Sequence, residues 1–180
     1  MITTKTINMC TNGIDVHSIT DTDLESLYCI LKDKENCYYQ YDLPVTSRQA
    51  AENMIRLAVK DWNMYGLKPE NREFLLIAHM VVGTAIVPIN TIWVKVNRDI
   101  TELTIRWVCA KEYKDENCVL QSVRMVIDYY MQRYKQISKI YSVCDGRNRQ
   151  TMGMLGTLGF QKIELRGRDI IYCRKFVKIG

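Results

Sequence analysis

Asn148 and Thr151 stand three positions apart in the stretch "NRQTMGMLGTLGF", residues 148–160. An amide and a hydroxyl at that spacing suit the first turn of a helix, where such side chains accept from unsatisfied backbone N–H groups. Leu155, Leu158 and Phe160 close the stretch. Gly159 is placed to end the helix in the left-handed conformation. A carboxylate, Glu102, opens the run "ELTIRWVCA" and shares a strand face with Thr104. His17 and His79 are the only histidines. Two histidines with no partner in the sequence make neither a metal site nor a catalytic triad, so no metal is expected. The seven cysteines are odd in number and lack C-x-x-C spacing, which argues against a disulfide framework and a zinc site. They read mostly as buried free thiols of a reducing, cytoplasmic protein.

These groups need a scaffold. At 180 residues the chain is the size of one domain with a real core. Apolar residues at 47% and charged residues at 25% are ordinary for a globular protein. No run approaches the ~20 apolar residues of a membrane span. The start, "MITTKTINMCTNGIDVHS", shows no apolar signal region. The net charge of +5 is mild and no dense basic run exists, so a nucleic-acid partner is not expected.

Residues 5–18 read as an extended segment broken at Asn12-Gly13, a turn dipeptide. Thr20 with Asp23 then forms a capping box for a helix whose apolar face is Leu24, Leu27, Tyr28 and Leu31. Thr46 with Gln49 predicts the cap of a second helix, with Ala50, Met54, Leu57 and Ala58 on its face. "EFLLIAHMVVGTAIVPI" reads as a hairpin of two apolar runs around Ala78-His79. "ELTIRWVCA" is a strand, and the longest helix is expected from Cys118 to about Tyr134. "KIYSVCD" is a strand, followed by the short helix at Asn148. "FQKIEL" and "DIIYCRKF" close the chain as a hairpin around Gly167. The order β-α-α-β-β-β-α-β-α-β-β implies an α/β protein with helices on both faces of a sheet.

The stretch 148–160 resembles the Asn-x-x-Ser-x-x-x-Leu-x-x-Leu-Gly-Phe signature of the GNAT superfamily, in its branch of ribosomal-protein N-terminal acetyltransferases. Asn148, Leu155, Leu158, Gly159 and Phe160 match, and Thr151 replaces the serine with another hydroxyl. "SITDTDLESL" is similar to the family's first strand and helix start, and "VVGTAIV" to its Ile-Gly-Thr strand. "VCAKEYKDENCV" stands where the family has its pyrophosphate loop. The resemblance covers nearly the whole chain, residues 1–180, as a single domain.

The resemblance implies a mixed central sheet with a splay between two parallel strands, "TIRWVC" and "YSVC". Acetyl-CoA would insert there as co-substrate. Val108, Ala110, Lys114, Asp115, Glu116, Asn117, Cys118, Val119 and Asn148 would then line its site. Asn148 would hold part of the cofactor arm and Thr151 would protonate the leaving thiolate. Asn117 would replace a loop glycine in the left-handed region, and Val119 would crowd the phosphates. The family's glutamate base falls on Thr104, which leaves Glu102 as the candidate base; the tyrosine acid falls on Leu155. Glu112 and Tyr113 match the family's Pro-Glu-Tyr loop. The tyrosines of "YYQY" and the aromatics of "DWNMY" would cluster near the acceptor groove. "GRNR" with Lys135 and Lys139 would form a basic patch near the cofactor end. The implied activity is acetyl transfer to a primary amine, a protein N-terminus or a small amine, by direct attack in a ternary complex. The loop's departures from the pattern imply an alternative: an inactive GNAT scaffold that binds a macromolecular partner.

Overall fold

The computed structural model describes residues 7–39, 44–65, 72–113 and 117–176. Its strands are β1 Asn8–Thr11, β2 Ile14–Ser18, β3 Glu73–Val82, β4 Ala85–Val96, β5 Glu102–Cys109, β6 Lys139–Asp145, β7 Gln161–Arg166 and β8 Asp169–Lys175. Its helices are α1 Leu24–Lys32, α2 Arg48–Tyr65, α3 Asn117–Arg133 and α4 Arg149–Thr157. The strands form one sheet in the order β1-β2-β3-β4-β5-β6-β8-β7. Only β5 and β6 run parallel; every other pair is antiparallel. The expected mixed sheet with helices on both faces is what forms.

Turn chemistry sets the hairpins. Asn12 and Gly13 both take positive φ, 50° and 76°, as a tight two-residue hairpin loop demands. The broken extended segment is therefore the β1–β2 hairpin. The β3–β4 hairpin turns at Gly83, φ 62°, and not at Ala78-His79 as the apolar runs suggested. At Ala78/His79 the β3–β4 register shifts instead. Phe74 to His79 are all buried, so the stretch carries no in-out alternation to mark the strand's length.

Helix starts follow their caps. The Asp23 carboxylate accepts both the Thr20 N–H and the Thr20 hydroxyl at 2.7 Å, closing the predicted box. At α2 the cap is Ser47, not Thr46: the Ser47 Oγ accepts the Ala50 N–H at 3.1 Å. α2 has 18 residues and α3 has 17, so among the described residues the longest helix is α2 and not the expected one.

Two apolar layers hold the sheet. Val119, Val123, Val126, Ile127 and Tyr130 of α3 pack on Val16, Leu76, Ile92 and Ile105 on one face. Leu27, Ile30 and Leu31 of α1, with Ala51 and Ile55 of α2, pack on Leu75, Ile77 and Trp93 on the other. Each such buried aliphatic contributes about 1.5–3 kcal/mol, so both layers are firmly anchored. Across the α3 layer the Ser122 hydroxyl lies 3.0 Å from the Asn90 Oδ1 of β4. Four cysteines are buried as expected, but Cys10 and Cys29 are exposed. Among the described residues no helix is long and apolar enough to cross a membrane.

Candidate active site

The parallel pair opens. β5 and β6 are in register at only three positions, Glu102–Lys139, Leu103–Ile140 and Thr104–Tyr141. Beyond them each strand keeps its outer partner to its end. Cys109 still pairs with Asn90 of β4, and Asp145 still pairs with Asp169 of β8. The two strands thus diverge inside one continuous sheet.

At the open end stands α4. Asn148 is its N-cap, and its Oδ1 accepts the Thr151 N–H at 3.0 Å. The helix stops in a Schellman motif. The Phe160 N–H reaches the Leu155 carbonyl at 2.9 Å and the Gly159 N–H the Gly156 carbonyl at 3.0 Å. Gly159 has φ 80°, and Leu155 and Phe160 are buried together. The head of α4 is fixed by one side chain and its tail by one glycine.

Asn148 and Thr151 share a cavity of about 40 Å³ with Trp107, Val108 and Cys109 of β5. Its third wall is the loop after α1, with Glu35, Asn36 and Tyr39. Tyr39 is one of the tyrosines expected near the acceptor groove; Glu35 and Asn36 were not singled out for chemistry in the sequence. Their approach to the splay depends on how α1 packs, which leaves no mark in a local motif. Asn36 donates to the Ile30 carbonyl at 2.9 Å. Its Oδ1 is buried and meets no partner among the described residues.

Arg147 ties the far side. Its guanidinium holds the buried Asp145 carboxylate through two bonds of 2.9 and 2.7 Å. It also stands 5.8 and 5.9 Å from the ring centres of Tyr38 and Tyr39. The Arg147 side chain and then its backbone N–H hold the Asp145 carboxyl far below the usual carboxylate range. Burial pushes the neighbouring Cys144 thiol up to about 11, so it stays protonated at neutral pH.

The other candidates lie elsewhere. Glu102 sits at the closed end of the splay, bonded to Lys139 at 3.1 Å. Cys109 lies seven positions further along the strand, roughly 23 Å at the usual rise. Lys139 is therefore also at the closed end, away from Arg147, and the expected basic patch is not assembled there. Trp62 packs at a tilt on Phe74, ring centres 4.4 Å apart, while Tyr38 and Tyr39 pack on each other, so the aromatics divide between two places. Asn117 opens α3 with no positive φ; the expected left-handed conformation is not adopted. Val119 is fully buried in the core, where it faces the sheet and does not crowd the helix N-terminus. Cys118 is buried beside it, and Ala110 bonds the Ile89 carbonyl at the end of β5. Glu112 and Tyr113 form a short turn after β5. Lys114, Asp115 and Glu116 lie outside the described residues.

A family model for the acetyltransferase (GNAT) domain matches residues 15–161. The chain belongs to the GNAT acetyltransferase family. Solved GNAT-fold structures agree over nearly its whole length. A ribosomal-protein-S5-alanine acetyltransferase from Vibrio fischeri has a TM-score of 0.72 at 15% identity, covering 94% of this chain and 96% of its own. RimL, a ribosomal L7/L12 α-N-protein acetyltransferase in complex with coenzyme A, scores 0.75 at 13% identity, with 95% and 98% covered. The microcin C7 self-immunity acetyltransferase MccE, in complex with acetyl-CoA and AMP, scores 0.71 at 12% identity, with 92% and 94% covered. No curated protein matches this GNAT chain in sequence. At these identities the structural likeness speaks for the fold, and the family model for the family.

Proposed function

We propose that this GNAT chain is an acetyl-CoA-dependent N-acetyltransferase acting on a primary amine, with a protein N-terminus as the first acceptor to test. The observation that carries the reading is the end of the β5–β6 ladder after Thr104–Tyr141, with the Asn148–Thr151 pair at the open end. The pantetheine arm would lie along β5 toward Val108 and Ala110. The pyrophosphate would meet the first turn of α3, Asn117 to Val119, where backbone N–H groups favour an anion. Lys114 would add a cation, and Asp115 and Glu116 would stand beside it in the same loop.

The chemistry is a direct transfer. The neutral amine forms a bond to the thioester carbonyl carbon, the C–S bond breaks, and the thiolate takes a proton relayed through the Thr151 hydroxyl, which regains one from solvent water. The amine's own proton passes to a carboxylate. We place that role on Glu35, which lines the same cavity as Thr151, and leave Glu102 to hold the closed end through Lys139. The protonated state of Cys144 speaks against an acyl-enzyme on that thiol. The cavity is close to the volume of a single water, so the loop carrying Tyr39 would shift to admit the arm.

That small volume also favours a second reading, a GNAT scaffold that no longer turns over and binds a macromolecular partner. A transfer assay separates the two. Release of free CoA thiol from acetyl-CoA is measured with peptides bearing a free or a blocked N-terminus. Release that requires the free amine supports the enzyme; no release with peptides or small amines supports the binding module.

A further inference from the structure

We propose that Asp15, His17 and His79, with Cys10 as a fourth donor, form a binding site for a divalent ion of the zinc type. The site lies on the β1-β2-β3 end of the sheet, away from the splay, and does not depend on the acetyl-transfer reading.

The sheet register builds it. Asp15 of β2 is directly opposite Cys10 of β1 and directly opposite His79 of β3. Residues facing each other across a ladder share a face, with Cβ atoms about 4.5–5.5 Å apart. His17, two residues from Asp15, is on that face as well. One donor atom each from Asp15, His17 and His79 lies within 4.8 Å of the other two. Cys10, opposite Asp15 in the register, is an exposed free thiol, and its Sγ would supply the fourth donor. Sequence inspection sees two histidines 62 positions apart; β2–β3 pairing stacks their rings at 5.4 Å with 16° between planes.

The donors select the ion. Two imidazoles, a carboxylate and a thiol suit zinc and its late first-row neighbours. Magnesium and calcium prefer a shell of oxygens. A proton bridges only two such groups at a time, as between His17 Nδ1 and Asp15 Oδ2 at 2.8 Å. A divalent ion takes a lone pair from every one. The outer shell is in place too. His17 Nε2 faces the Asp23 carboxylate at 3.2 Å, and His79 Nε2 faces the Ser26 hydroxyl at 3.1 Å. Carboxylate and hydroxyl partners of this kind orient metal-binding imidazoles. Because Asp23 also caps the turn into α1, an ion here would clamp β1, β2, β3 and the start of α1 together.

The test is a Co²⁺ titration of the chelator-treated full chain, followed by visible absorption and by thermal unfolding. Expected are saturable d–d bands that Zn²⁺ displaces, and a melting temperature raised by either ion. His79→Gln and Asp15→Asn should abolish the bands while the metal-free variants keep the parent's circular dichroism. Cys10→Ser should remove only the sulfur-to-cobalt charge-transfer band. Asp23→Asn should weaken binding by about 10- to 100-fold. Absence of the bands overturns the site. So do bands that persist unchanged in His79→Gln, which would assign the cobalt to the other cysteines.

Discussion

The Asn148 side chain accepts the Thr151 N–H at 3.0 Å, so the residue that caps α4 also holds the backbone of the hydroxyl-bearing residue that lines the same cavity. One carbonyl oxygen is committed to the helix. The Nδ2 donor has no acceptor among the described residues, and holding the cofactor arm is the second task proposed for it.

Two substitutions at 148 separate those tasks. Asn148→Ala should lower unfolding free energy by about 1 kcal/mol, the usual worth of a cap, and weaken acetyl-CoA binding. Asn148→Asp keeps an acceptor for the cap but replaces the donor with a second oxygen. It should hold stability in urea titration and still lose cofactor affinity. Full affinity in Asn148→Asp would reduce the residue to a cap alone.

Thr151 carries a different expectation. Thr151→Val should lower kcat by about 100-fold or more, the scale of a lost general acid, with the acetyl-CoA Kd little changed. Thr151→Ser should restore turnover. Parallel losses in kcat and affinity would assign the hydroxyl to binding.

The glycines of α4 differ in kind. Gly159 has φ 80°, and a Cβ there would meet only Arg174 at 3.6 Å, an ordinary contact. Gly159→Ala should therefore cost about 1–2 kcal/mol from backbone strain alone. Gly153 and Gly156 are helical, and a Cβ on either meets nothing within 4 Å. Gly153→Ala should add roughly 0.5–1 kcal/mol of stability. Chemical denaturation of the two variants reads both signs.

How much of this was legible in the sequence depends on how local the cause is. Gly159, the Thr20–Asp23 box and the Asn12-Gly13 turn are decided by a few neighbouring side chains, and their types announce them. The β3–β4 turn was misplaced because the buried strand between Phe74 and His79 has no alternation. Ser47 replaced Thr46 because two adjacent hydroxyls compete for one cap. Glu35 and Asn36 reach the splay only through the packing of α1. The His17–His79 stack exists only through strand register, which no spacing along the chain encodes.

Acid should act on the Asp145–Arg147 pair. The folded pKa of Asp145 is depressed by Arg147, while an unfolded aspartate titrates near ~3.9. Its contribution is complete above that value and is lost as pH falls below it toward the folded pKa. Wild-type stability should therefore drop through this acid range by more than that of Asp145→Asn, whose amide does not titrate. Identical slopes for the two proteins in acid denaturation would contradict the assignment.

Calorimetric titration of the full chain with acetyl-CoA at neutral pH asks most directly whether the opening between β5 and β6 receives a thioester arm. Saturable binding is predicted, together with thermal stabilisation that grows with ligand and reaches about 2.7 kcal/mol at one hundred times Kd. Heat of dilution alone and an unmoved melting curve at millimolar acetyl-CoA would contradict it.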